Sequence, residues 1–212
     1  FSWQPMNRGP WYFIRNQVVM TRGKPLKFVQ VTDRFALIHN TFVFPARASE
    51  YAQSLFNSYS RNNLYIVTGP VHATKPGLFR AAYNPKKPDR PGGSFTPTWM
   101  TDVDYDGFDW DTMSDPFIWN DKVYPDIGSL AAALGVWKNA VRVKKEEIFE
   151  NWAMPSAAVG AAPVTFTLKA GCAAVDKGAV VPNINDGFAG SAPDLGCTEQ
   201  GQPAPHYGPR KP

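Results

Sequence analysis

Ile14-Arg15-Asn16-Gln17-Val18 recurs along the chain as Ile38-His39-Asn40-Thr41-Phe42, Ser60-Arg61-Asn62-Asn63-Leu64 and Asp104-Tyr105-Asp106-Gly107-Phe108. The third position reads Asn16, Asn40, Asn62 and Asp106, at spacings of 24, 22 and 44 residues, the last being twice 22. Self-similarity at a period of about 20 to 30 residues is the mark of a stacked solenoid. Within each unit apolar residues alternate with polar ones, the period of two that a strand requires. Parallel strands need long connections, and no long helical pattern separates these units. The expectation is therefore an all-β chain folded as a parallel β-solenoid, one unit stacked on the next.

In such a stack the Asn column has a physical purpose. An amide side chain both donates and accepts, so Asn16, Asn40 and Asn62, with Asp106, are expected to bond one another as a structural ladder. The same alternation sends Arg15, His39, Arg61 and Tyr105 outward in one column. Neighbouring strands lie about 4.8 Å apart, which makes this column the candidate binding surface. Outward Phe13, Leu37 and Tyr59 form an apolar column where a helix, or a sugar ring, could dock.

The 212 residues are enough for one substantial domain, and 17 Gly with 20 Pro suit a turn-rich β protein. The net charge of +4 conceals an asymmetry: residues 1–100 hold 13 Lys/Arg against 3 Asp/Glu, and residues 101–212 hold 9 against 15, or +10 and −6. The basic half carries the repeats, which suggests an anionic partner; scattered solubilising charge is the alternative. No apolar run approaches the length of a membrane span. The chain starts at Phe1 with no signal-type segment, which reads as processing or a fragment, and the apolar end of the stack is expected to be covered by missing residues or a partner.

Organisation follows composition. Residues 1–212 read as one domain, the C-terminal part of a longer solenoid, with an inserted Pro-, Gly- and Lys-rich loop over 69–99. Residues 117–163 read as a hairpin and helix insertion: Phe117-Ile118-Trp119 and Lys122-Val123-Tyr124 flank a tight turn, and Asp126 caps a short helix ending at Gly135. Strands at 140–143 and 164–168 are expected to close the stack, and residues 164–212 form a C-terminal cap and tail. Asp102, Asp104 and Asp106 match the start of a calcium loop. Its twelfth position is Met113 where a bidentate Glu is needed, so no cofactor is expected and calcium is the one metal kept open.

The segments 168–178, 182–188 and 192–196, the tail Pro205-His206-Tyr207-Gly208-Pro209-Arg210, and Trp119-Asn120-Asp121-Lys122-Val123-Tyr124 resemble secreted bacterial right-handed parallel β-helix proteins of the pectate-lyase-like superfamily. Together with the repeats, the resemblance covers most of residues 11–210. It implies a right-handed parallel β-helix and a secreted, periplasmic or cell-surface location. It also places Cys172 and Cys197 in neighbouring segments of the cap, implying a disulfide, whereas a reducing compartment would leave them as buried thiols. The superfamily includes polysaccharide lyases and glycoside hydrolases. On a uronic-acid polymer, Arg15 or Arg61 would neutralise the carboxylate and His39 would abstract the proton, the alternative being a solvated strand face. Ser-His-Asp, P-loop and dinucleotide signatures are absent.

Two functions follow as expectations. One is a carbohydrate-associated protein that binds or cleaves an acidic polysaccharide on its basic face; the other is a non-catalytic structural or interaction subunit of a secreted or cell-surface assembly. The expected partners are an acidic polysaccharide or other protein chains, with no nucleic acid.

Overall fold

The structure is a computed structural model and describes residues 2–3, 7–28, 31–45, 49–51, 54–69, 79–81, 102–110, 116–119, 122–154 and 165–204. The chain opens with β1 (Ser2–Trp3), β2 (Asn7–Ile14) and β3 (Gln17–Val19), then β4 (Leu26–Phe28), β5 (Val31–Ile38) and β6 (Thr41–Phe44). It continues with β7 (Ser49–Tyr51), β8 (Ser54–Phe56), β9 (Tyr59–Arg61) and β10 (Leu64–Val67), then β11 (Phe79–Ala81), β12 (Asp102–Val103) and β13 (Gly107–Asp109). After β14 (Phe117–Trp119) and β15 (Lys122–Tyr124) come α1 (Ile127–Leu134), β16 (Val141–Arg142) and α2 (Lys145–Ile148).

These strands sort into three sheets. The first runs β1-β4-β7-β11-β14-β15, the second β2-β5-β9-β12 with β8 also on β5, and the third β3-β6-β10-β13-β16. Pairing among the described strands is parallel except between β14 and β15, which form the antiparallel hairpin.

The central strands of the third sheet, β6, β10 and β13, are buried on both faces. Its register aligns Val18, Phe42, Tyr65 and Phe108 in one column. The rings of Phe42, Tyr65 and Phe108 stack at 5.2 Å per step, and Phe108 then meets Trp137 edge-on at 5.3 Å. Such aromatic pairs add about 0.5 to 1.5 kcal/mol each beyond the area they bury. On the other face Val43, Leu64 and Ile66 pack with Val143, Ile148, Phe149, Phe166, Leu168 and Leu195. Cover on both sides explains why Thr41–Phe44 and Leu64–Val67 are fully buried and read as nearly continuous apolar runs. A third cluster joins Ala36 and Ile38 of the second sheet to Val181. Residues 165–204 thus lie across the outer sides of the second and third sheets.

The expected class, an all-β right-handed parallel β-helix, is corrected. The strands belong to three separate sheets, accompanied by α1 and α2, an α/β-type arrangement with parallel sheets. The repeated pattern specifies parallel pairing, which both architectures share; packing of sheets and helices is set by contacts distant in sequence.

Several segments also differ from expectation. Within the supposed loop over 69–99, Phe79–Ala81 is a strand between β7 and β14, and most of the rest lies outside the described residues. Among the described residues of 164–168, Leu168 makes an isolated antiparallel bridge to Phe149 in place of a strand. The helix lies where its sequence places it. Asp126 Oδ1 accepts from the Ser129 amide at 2.7 Å, and Gly135 (φ 72°) closes it by bonding Ala131. Its Leu130 is buried in the main core, with Ile127 and Leu134 packed alongside. The proposed docking column does not exist as read, because Phe13 and Leu37 face that core whereas Tyr59 pairs with Ala36 and joins the outer cluster.

Candidate functional site

The repeated turn that ends each strand of the second sheet is where the polar residues converge. Leu64 pairs with Thr41 and Gly107, so Asn63, and not Asn62, falls in register with Asn40 and Asp106. The ladder is therefore corrected to Asn16, Asn40, Asn63 and Asp106. Each rung uses the same geometry: the backbone N–H and the side-chain Nδ2 of one residue both donate to Oδ1 of the next. Asn16 does so to Asn40 at 2.9 and 3.0 Å, Asn40 to Asn63 at 2.9 and 2.8 Å, and Asn63 to Asp106 at 2.8 and 2.9 Å.

The ladder has a direction, donors at Asn16 and acceptor at Asp106. Asp106 suits its end because a carboxylate only accepts. Its Oδ2 takes Ser60 Oγ at 2.7 Å and Trp137 Nε1 at 2.9 Å, which fills the group. Burial pushes its pKa up to about 6, against the four hydrogen bonds that favour the charged form.

One residue earlier lies a column of left-handed backbone: Arg15 (φ 55°), His39 (φ 53°), Asn62 (φ 61°) and Tyr105 (φ 56°). Asn tolerates this conformation better than most residues, so either member of Asn62-Asn63 suits the corner, and the pairing of Leu64 assigns it to Asn62. The one-residue shift also corrects the binding column. Arg61 pairs with Ile38, one position before the corner, and does not stand with Arg15, His39 and Tyr105.

His39 is wholly buried. Its Nδ1 lies 3.1 Å from the Gly196 carbonyl, which can only accept, so Nδ1 carries the proton. Nε2 then accepts from Asn62 Nδ2 at 3.0 Å and Asn185 Nδ2 at 2.8 Å. Burial first, and then Arg15, lower the His39 pKa to about 4 against the opposing Gly196 carbonyl. Asn62 completes the knot: Oδ1 accepts from the Ala179 amide at 2.7 Å and Nδ2 donates to the Ala179 carbonyl at 2.8 Å. Asn185 Nδ2 donates to the same carbonyl and its Oδ1 accepts from Val181. The expected outward base is thus a buried cross-link between the corner and the C-terminal segment. Its lone pair is occupied and closed to a substrate.

Arg61 is engaged as well. Its Nη2 lies 2.5 Å from Asp102 Oδ1, its Nη1 donates to the Ser60 and Asp102 carbonyls, and the guanidinium sits 4.7 Å from the Tyr59 ring centre and 6.0 Å from that of Tyr105. The three candidate calcium ligands serve separate partners. Asp102 holds Arg61, Asp104 accepts from Tyr105 and Asn139, and Asp106 ends the ladder. Asp104 is half-buried whereas Asp106 is fully buried, and the described residues hold no group of three candidate metal ligands.

The expected disulfide is corrected too: Cys172 and Cys197 are thiols with no bridge between them. Cys197 is buried where its amide donates to Thr41 Oγ1 at 3.0 Å, whereas half-buried Cys172 packs at the edge of the cluster around Val43, Leu64 and Phe166. Gly196 makes this approach feasible. Its φ is 95°, and a Cβ there would lie 2.7 Å from Leu64 Cδ1 and from Thr41 Oγ1.

The sequence reading missed Asn63, Asn185 and the 176–199 contacts. Only the double Asn at 62 and 63 could have signalled the first, one residue for the corner and one for the ladder. No protein-family model, curated protein or solved structure matches this chain.

Proposed function

We propose that the chain is a non-catalytic interaction subunit of a secreted or cell-surface assembly, docking through the sheet ends formed by β2 and β3. The observation that carries this reading is the state of His39: no exposure, and both ring nitrogens committed. A general base must reach the proton it removes, and this one faces the protein's own backbone and amides. Arg61 is similarly committed to Asp102 and two carbonyls. At the sheet ends, by contrast, Trp11 (44%), Tyr12 (69%) and Val19 (37%) are exposed beside half-buried Phe13, Val18 and Met20. An edge strand with apolar side chains on it is a template for another chain.

The acidic-polysaccharide reading rests on the charge asymmetry and on the Arg61 aromatic pair, whose cation is already neutralised. Polygalacturonate and alginate, incubated with the full chain at low salt, separate the two. The expected outcome is no ultraviolet-absorbing unsaturated product and no salt-sensitive retention on either polymer. Turnover, or retention that fades as salt screens charge, overturns the interaction reading.

A further inference from the structure

The ladder that crosses the turn stack is closed at one end and open at the other, and this polarity describes a partner. At Asp106 all acceptor positions facing the protein are filled by Asn63, Ser60 and Trp137. At Asn16 the situation is reversed. Its backbone N–H and Nδ2 donate to Asn40 Oδ1, and Nδ2 also donates to the Ile14 carbonyl at 3.1 Å, so both amide protons are used. Asn16 Oδ1 accepts no bond among the described residues, although its counterpart in Asn40, Asn63 and Asp106 each accepts two. Asn16 lies between β2 and β3, each the last strand of its sheet on that side.

Resting on the edge-docking reading above, we infer that this end receives a polypeptide segment built as strand, left-handed corner residue, Asn, strand, added in parallel to β2 and β3. Its Asn would place a backbone N–H and an Nδ2 on Asn16 Oδ1, repeating the rung geometry found three times inside the chain. Flanking apolar residues would cover Val18 as Phe42 does on the other side.

The same polarity argues against a second copy of this chain. A two-fold copy would bring two Asn16 Oδ1 acceptors face to face, with no proton left on either amide to share. A head-to-tail copy would need an acceptor-seeking donor at the far end, where Asp106 has none to give. Two strands with apolar edges and an acceptor between them call for a donor-bearing turn that a second copy of this chain does not supply.

A labelled synthetic peptide with the sequence of residues 7–19 supplies the pattern, including its Arg-Asn corner. Fluorescence anisotropy against the full chain is expected to give saturable binding. The same peptide with its ladder Asn replaced by Asp turns a donor into an acceptor, and is expected to bind about tenfold or more weakly. In the protein, Met20 N–H bonds the Val43 carbonyl, so alternation turns the Val19 N–H outward; Val19→Pro removes an outward donor and leaves the β3 to β6 bonds intact. This variant is expected to abolish binding while keeping the wild-type near-ultraviolet circular dichroism spectrum.

Binding that Val19→Pro abolishes but that ignores the Asn-to-Asp change overturns the donor-rung inference and leaves edge docking standing. No peptide binding, or binding indifferent to Val19→Pro, overturns both. A dimer of the chain alone in sedimentation, dissolved by Val19→Pro, names a second copy as occupant and also overturns the inference.

Discussion

Asn63→Leu should be the most costly single change in the ladder. The buried Asn63 side chain accepts from the Asn40 amide and Nδ2, and donates to the Leu37 carbonyl at 2.9 Å, Ser60 Oγ at 3.0 Å and Asp106 Oδ1 at 2.9 Å. Leucine has about the right volume but fills none of these roles. It strands two donors of buried Asn40, although Asn40 Nδ2 keeps its bond to the Phe13 carbonyl, and it leaves the Leu37 carbonyl without its amide. An unsatisfied buried group costs about 1 to 3 kcal/mol, and relaxation absorbs part of the sum, so a loss of roughly 3 to 5 kcal/mol is expected. Asn16→Leu, at the half-buried end where water can reach, should cost only about 1 kcal/mol. Urea unfolding of both variants, followed by tryptophan fluorescence, reads the difference. A loss below about 1 kcal/mol for Asn63→Leu, or equal losses for the two, would refute the directional ladder.

Titration provides a second test. The His39 pKa is lowered to about 4 from 6.5, so the unfolded chain binds that proton more readily and the His39 contribution to stability falls as pH drops from 6.5 towards 4. Asp106, raised to about 6 from 3.8, has the opposite sign, its contribution growing as pH falls from 6 towards 3.8. The two offset between about pH 4 and 6; Asp106→Asn should therefore lose, relative to wild type, about 1.4 kcal/mol per pH unit on acidification in that window, measured by urea titration at each pH. Gly196→Ala forces a Cβ into Leu64 and Thr41 at a left-handed position, and should cost at least about 1 kcal/mol and speed limited proteolysis within 165–204; unchanged cleavage would detach that contact from the fold. Alkylation without reductant should label half-buried Cys172 quickly and buried Cys197 only on unfolding, whereas a mass without label after denaturation would restore the bridge.

Short-range patterning along the chain set the local grammar. Alternation of apolar and polar residues around Ile14, Ile38 and Phe108 specified strands, their spacing specified parallel pairing, and Asp126 with Gly135 specified one helix between its caps. These are short-range effects: backbone sterics, side-chain period and a capping bond act within a few residues, so they are written where they occur. The presence of an amide ladder was legible for the same reason.

What tertiary structure decided is the register and the surroundings. A strand read from sequence alone tolerates a shift of one residue, yet that shift exchanges every inward and outward side chain. At Asn62-Asn63 either residue could serve, and only the pairing of Leu64 with Thr41 and Gly107 settled which amide joins the ladder. The fate of His39 was less legible still. Its burial depends on Asn185 and Gly196, 146 and 157 residues away, and no local pattern around Ile38-His39-Asn40 encodes a partner at that distance. The distribution of strands into three sheets, and the C-terminal segment laid over two of them, likewise arise from apolar faces that find one another only when the whole chain is folded.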